Sequence, residues 1–99
     1  MRIPSSLPLL GQTIKVVIVP IADWPHGEDV VGEYDTLRHC ITIRGDLDPE
    51  SQEQTFCHEL IHACLNAMSH DMYEDEKFVD QLASLIHQAF SKAKYKRAK

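Results

Sequence analysis

The segment DPESQEQTFCHELIHACLNAM, residues 48–68, decides the fold. It opens as a helix start. Asp48 can accept a free backbone N–H, Pro49 sits at the first helical position where its missing N–H is no loss, and Glu50 lies in the first turn. After that start, Phe56, Cys57, Leu60, Ile61, Ala63, Cys64, Leu65, Ala67 and Met68 are apolar nearly all round. This predicts a helix over about 49–68 whose second half is a central element. His58, Glu59 and His62 are the exceptions, three polar groups that would cost several kcal/mol if buried without partners. A metal ion supplies the partner. In H-E-x-x-H the two histidines lie four apart on one helical face, so both imidazoles can reach one ion, and the intervening glutamate is aimed at the ion's open side. With six His and seven Glu in the chain, chance produces this spacing in about 2–3% of such sequences, before any demand for a helix around it.

Two histidines are too few for a catalytic zinc, which takes three protein ligands and a water. The position ten residues after His58 is Met68, which excludes the extended three-histidine pattern. Asp71 with Glu74 three residues on reads as a capping box, so a second helix is expected from there to about Phe90, its stripe formed by Phe78, Leu82, Leu85 and Ala89. If the two helices form an antiparallel hairpin, Glu76 comes level with the histidines and becomes the leading third ligand. Asp80, one turn later, is positioned to hold the second nitrogen of a ligating histidine. Asp80, His70 and Glu74 remain alternative third ligands. His87 lies about 16 Å along the axis from Glu76, too far to share the ion, and reads as a core or surface histidine like His26 and His39.

Outward from these helices the sequence predicts three strands. TIKVVIVPI (13–21) is β-branched and apolar on both faces, as in a buried strand ended by Pro20. VVGEYD (30–35) and HCITIR (39–44) form a hairpin around Thr36, Leu37 and Arg38, with Ile41 and Ile43 on one face. Residues 1–12 read as an irregular arm or a short helix. The expected fold is α+β: one domain over 1–99, with a small antiparallel sheet of about three strands on two long helices. The strand at Cys40–Arg44, next to the metal helix, is expected to line the cleft and pair with an extended substrate.

At 99 residues, 43% apolar and 25% charged, the composition is that of a globular domain, not of a disordered or multidomain chain. No run approaches the ~20 apolar residues that span a bilayer, and the first residues lack the apolar stretch of a secretory signal. The expected location is the cytoplasm. Three cysteines without a C-x-x-C pair read as reduced thiols. A net charge of −5 argues against a general nucleic-acid binder. The charge is uneven, with −10 on residues 1–91 and +5 on the tail, which reads as a solvated helix end.

TFCHELIHACL (55–65), followed by Glu76-x-x-Val79-Asp80-x-Leu82-Ala83, resembles the ImmA/IrrE group of small zincin-type metallopeptidases, which pair an H-E-x-x-H helix with a later E-x-x-A-N-x-F-A pattern. GEYDTLRHCITI (32–43) is also similar to short zincin-like proteins of phages and prophages. The resemblance implies His58, His62 and Glu76 as Zn2+ ligands, Glu59 as the catalytic acid/base, and a partner repressor as substrate. Asp80 stands where the pattern has Asn. Tyr34, Tyr73 and His70 are candidates to assist the developing oxyanion, with no choice among them. The leading expectation is a zinc-dependent peptidase acting on a protein or peptide. Its competitors are a zinc-stabilised regulatory module without effective catalysis, and a protease held to nucleic acid by the basic tail.

Overall fold

Asp48 caps the first helix as its position suggests: its side chain accepts from the Ser51 amide at 3.2 Å, and Pro49 begins α1 (Pro49–Ala67). The helix ends in a Schellman turn. Ser69 takes the left-handed conformation at φ 52°, with Ser69 N–H donating to Asn66 O and His70 N–H to Leu65 O. These details come from a computed structural model that describes residues 1–96. Arg97 and Lys99 of the expected basic tail lie outside the described residues, whereas Lys92, Lys94 and Lys96 are exposed.

The architecture is α+β, a four-stranded sheet with two helices packed on one face. The strands are β1 (Ser6–Leu9), β2 (Gln12–Val19), β3 (Gly32–Asp35) and β4 (Cys40–Arg44), in the spatial order β1-β2-β4-β3. Two expectations are corrected here. The N-terminal arm contains a strand, joined to β2 by the Leu10–Gly11 turn, where both residues have positive φ and Gly11 meets no Cβ penalty. The sheet is mixed rather than antiparallel, because β2 and β4 run parallel, with Val16 opposite Ile41 and Ile18 opposite Ile43.

β4 is therefore internal, paired with β2 on one side and β3 on the other. It cannot offer an edge to a substrate, which corrects the expected role of Cys40–Arg44. The edges of the sheet are β1 and β3, and β3 is the one that packs beside α1. The β3–β4 reversal is tied by Asp35, whose carboxylate accepts from the Leu37 and Arg38 amides, while His39 adopts φ 52°.

The core lies between the sheet and the helices. Ile14, Val16, Tyr34, Ile41 and Ile43 meet Phe56, Cys57, Ile61, Ala63 and Leu65 of α1, with Val79 and Ala83 of the second helix, α2 (Glu76–Ser91). Only one face of β2 is buried. Val17 on the other face is 44% exposed, against the expectation of a strand covered on both sides. The second helix also begins later than expected: Asp71–Glu74 forms a short 3-10 turn, and Asp75 is the cap, accepting from the Phe78 amide at 2.9 Å. Its buried stripe is Val79, Ala83 and His87, and Leu85 of the expected stripe faces solvent. His87 is a core histidine whose Nε2 meets Glu53 Oε1 at 3.1 Å.

Candidate metal centre

The i, i+4 spacing in α1 sets the imidazoles of His58 and His62 side by side, with ring centroids 5.0 Å apart. The Schellman turn and the 3-10 turn reverse the chain, so Glu76, the first residue of α2, returns to the same place. Its two carboxylate oxygens divide between the histidines: Oε2 lies 3.0 Å from His58 Nε2, and Oε1 3.0 Å from His62 Nε2. The three residues offer ligand atoms within 4.8 Å of one another.

The other ring nitrogens fix what this arrangement can hold. His62 Nδ1 lies 2.8 Å from the Tyr73 carbonyl oxygen, which cannot donate, so the proton is on Nδ1 and Nε2 presents a lone pair. His58 Nδ1 faces Asp80 Oδ1 at 3.5 Å, which favours the same tautomer. Two nitrogen lone pairs would then point at two carboxylate oxygens 3.0 Å away, an arrangement of acceptors that repels itself unless a cation or additional protons lie between them. The contacts approach the ligand–ligand edge of about 3.3 Å in tetrahedral zinc with ~2.0–2.1 Å bonds. The donor set thus fits a divalent ion, with three protein ligands among the described residues and a fourth position left to the cleft.

That cleft encloses about 700 Å³ between α1, the N-terminus of α2 and the edge strand β3. Glu59 lies in its wall and is only 8% exposed. Burial pushes its carboxyl pKa upward; His58 and His62 oppose the rise, Glu76 adds to it, and a hydrogen bond from the Tyr34 backbone lowers it. The edge strand is oriented by its register. Val31 O accepts from Arg44 N, so Val31 and Glu33 turn their main-chain groups toward β4, and Gly32 and Tyr34 turn theirs outward to the cleft. The Tyr34 amide thereby comes to Glu59.

Gly32 allows this approach. A Cβ there would overlap the Thr55 methyl and stand 3.3 Å from Glu59 Cγ and from Thr42 O. Sequence reasoning missed both Gly32 and Thr55. The available signal was a glycine opening a strand, which marks close approach of another element.

The remaining candidates separate. Tyr73 lines the cleft with its ring edge-on to His62, and burial, with Tyr34, Glu74 and Glu59 nearby, pushes its phenol pKa up, so it stays a neutral donor. The Tyr34 hydroxyl is turned toward His39 Nδ1, 3.5 Å away, although its main chain borders the cleft. His70 is occupied elsewhere, its Nδ1 accepting from the Met72 amide at 3.0 Å, and neither it nor Glu74 joins the ligand cluster.

Comparison with protein families gives a match over residues 12–91 to the family described as IrrE N-terminal-like domain, Peptidase_M78. No curated protein matches. No solved structure matches.

Proposed function

The chain belongs to the IrrE N-terminal-like domain family, and from that premise we propose that this metallopeptidase-like domain is a zinc-dependent peptidase that hydrolyses a bond within an extended stretch of protein. The observation that supports it most is the convergence of His58 Nε2 and His62 Nε2 on the Glu76 carboxylate, beside a buried glutamate in an open cleft. Three ligands leave room for water, as catalytic rather than structural zinc sites do.

His58, His62 and Glu76 would hold the ion, with Asp80 and the Tyr73 carbonyl fixing the two rings. When bound, the ion supplies Lewis-acid polarisation of the scissile carbonyl and acidifies a water toward a pKa of ~7. Glu59 accepts the proton of the attacking water at its carboxylate and returns it to the leaving amine. Partial desolvation keeps its affinity for that proton high enough for both steps. The Tyr73 hydroxyl is the favoured donor to the carbonyl oxygen as charge develops there. The outward main-chain groups of Gly32 and the Tyr34 carbonyl pair with the substrate backbone as an added strand, which gives affinity without dictating side chains.

The likeness to the ImmA/IrrE group makes a repressor-type protein the first substrate to test. No helix among the described residues is long and apolar enough to cross a membrane. The decisive experiment compares the zinc-loaded protein with Glu59→Gln on candidate repressors. The variant should retain its zinc and its circular dichroism and lose hydrolysis. Full activity in Glu59→Gln refutes Glu59 as the base, and equal inactivity of both proteins on repressors and unstructured peptides refutes the peptidase.

A further inference from the structure

The side chains around the cleft share one sign. Asp29, Glu33, Glu59, Glu74, Glu76 and Asp80 line it, and among the described residues no Lys or Arg does. A divalent ion at the metal centre would cancel only part of that charge. Three of these six carboxylates already have charged or ring-nitrogen partners: Glu76 and Asp80 face the histidines, and Glu33 Oε2 pairs with His26 Nδ1 at 3.1 Å. Asp29 and Glu74 are exposed and make no ion pair among the described residues.

Their placement along the cleft is set by the register of β3 on α1. Gly32 sits over Thr55, whereas the Tyr34 side chain reaches the end of α1 near Asn66. The chain preceding β3, with Asp29, therefore lies toward the Thr55 end. Glu74 follows Tyr73, whose carbonyl holds His62, and so lies toward the other end. Thr55 and His62 are seven residues apart, about 10 Å along the helix, which about three residues of extended peptide span. A peptide added to the free edge of β3 thus carries its side chains past one unengaged carboxylate on each side of the catalytic centre.

We infer that the cleft selects cationic substrates: extended peptide segments with Lys or Arg on both sides of the scissile bond, read by Asp29 and Glu74. The inference rests on the peptidase reading for its site, while its specificity claim concerns two residues outside the catalytic machinery. An ammonium about 5 Å from one exposed carboxylate gains a factor of about four in a water-like dielectric. Screening at physiological salt, where the Debye length is about 8 Å, reduces each contact to about two-fold, so two of them give about four-fold.

The test uses the full zinc-loaded chain and quenched fluorescent peptides of one length, carrying Lys, Ala or Glu on both sides of a fixed neutral centre. The Lys peptide should show kcat/KM about four-fold above the Ala peptide, and the Glu peptide should be poorest. Asp29→Asn and Glu74→Gln should each remove about two-fold of that advantage without altering cleavage of the Ala peptide, and 0.5 M NaCl should shrink it. Equal cleavage of all three peptides overturns the inference and leaves the peptidase standing. If nothing is cleaved, the peptidase reading fails, and fluorescence anisotropy of the same peptides on the zinc-loaded protein decides the charge preference. Tighter binding of the Lys peptide, weakened by Asp29→Asn and Glu74→Gln, upholds it, and equal binding of the Lys and Glu peptides overturns it.

Discussion

Replacing Gly32 by alanine adds one methyl group where β3 packs against α1. The φ of Gly32 is outside the left-handed region, so the penalty is steric and not conformational. The new Cβ would overlap Thr55 Cγ2, with Glu59 Cγ and Thr42 O both at 3.3 Å, and Thr55 is itself buried. The strand cannot retreat freely, because β4 holds it on the other side. Overpacking of this kind costs about 1–3 kcal/mol. At about 2 kcal/mol, a domain of this size loses roughly 8–16 °C in Tm.

Activity should fall further than stability requires, since relief of the clash moves the strand edge away from Glu59. A displacement near 1 Å costs on the order of 100-fold in a positioned reaction. Calorimetry and kcat/KM below the transition measure the two effects separately. Thr55→Ser removes the offending methyl while keeping the hydroxyl, so Gly32→Ala/Thr55→Ser should recover at least about 1 kcal/mol relative to additivity, within the usual coupling of touching residues. An unchanged Tm and rate in Gly32→Ala, or strictly additive losses in the pair, would refute the claim that this contact positions the strand.

Four further outcomes follow from the site and its supports. Glu76→Ala should weaken zinc binding by more than about 100-fold in calorimetric titration, whereas Glu74→Ala should change it by less than about three-fold; equal losses would move the third ligand elsewhere. Asp80→Ala, which frees His58 Nδ1 without removing a ligand, should cost about 10–100-fold in affinity, and an unaltered affinity would remove Asp80 from the site's support. An ion held as proposed by His58, His62 and Glu76 would join α1 to α2, so chelation should lower Tm: at free zinc 100 times its Kd the ion would add about 2.7 kcal/mol, and identical melting with and without chelator would deny that link. The carboxyls of Asp48, held by Ser51, and Glu53, held first by His87, titrate below their ordinary range in the folded chain. Their stabilisation is therefore complete above the unfolded values near ~4–4.5 and is lost as pH falls through the lower folded ones. Measured with chelator present, Asp48→Asn and Glu53→Gln should flatten the decline of Tm between about pH 5 and 3, and wild-type slopes in both would contradict this.

What could be read in the sequence, and what could not, follows the distance over which each feature is determined. The cap at Asp48, the 49–68 helix and the convergence of His58 with His62 depend on spacings of a few residues, and the structure places them where those spacings put them. Glu76 required the assumption of a hairpin. It reaches the histidines from the first position of α2 rather than from its second turn, because Asp75 takes the capping role that Asp71 and Glu74 seemed to claim. The strands were less legible. Alternating Leu7 and Leu9 in the N-terminal arm become a strand only when β2 lies beside them, and in TIKVVIVPI the alternation of Thr13 and Lys15 with Ile14 and Val16 is masked by the apolar run that follows, so that Val17 does not look open to water.

The parallel β2–β4 pairing mattered most, since with β3 on the other side it leaves β4 no free edge and makes β3 the edge strand beside the cleft. β4 (CITIR) is β-branched whereas β3 (GEYD) carries two acids, as edge strands do, but that composition does not say which element passes beside the edge. Gly32 was the local mark of that arrangement. Nothing in a hairpin's own geometry requires glycine at the first residue of β3, so its presence there reports the helix that passes against it. The part of the site that depends on long-range register thus does leave one trace in the sequence: a missing side chain facing Thr55 and Glu59.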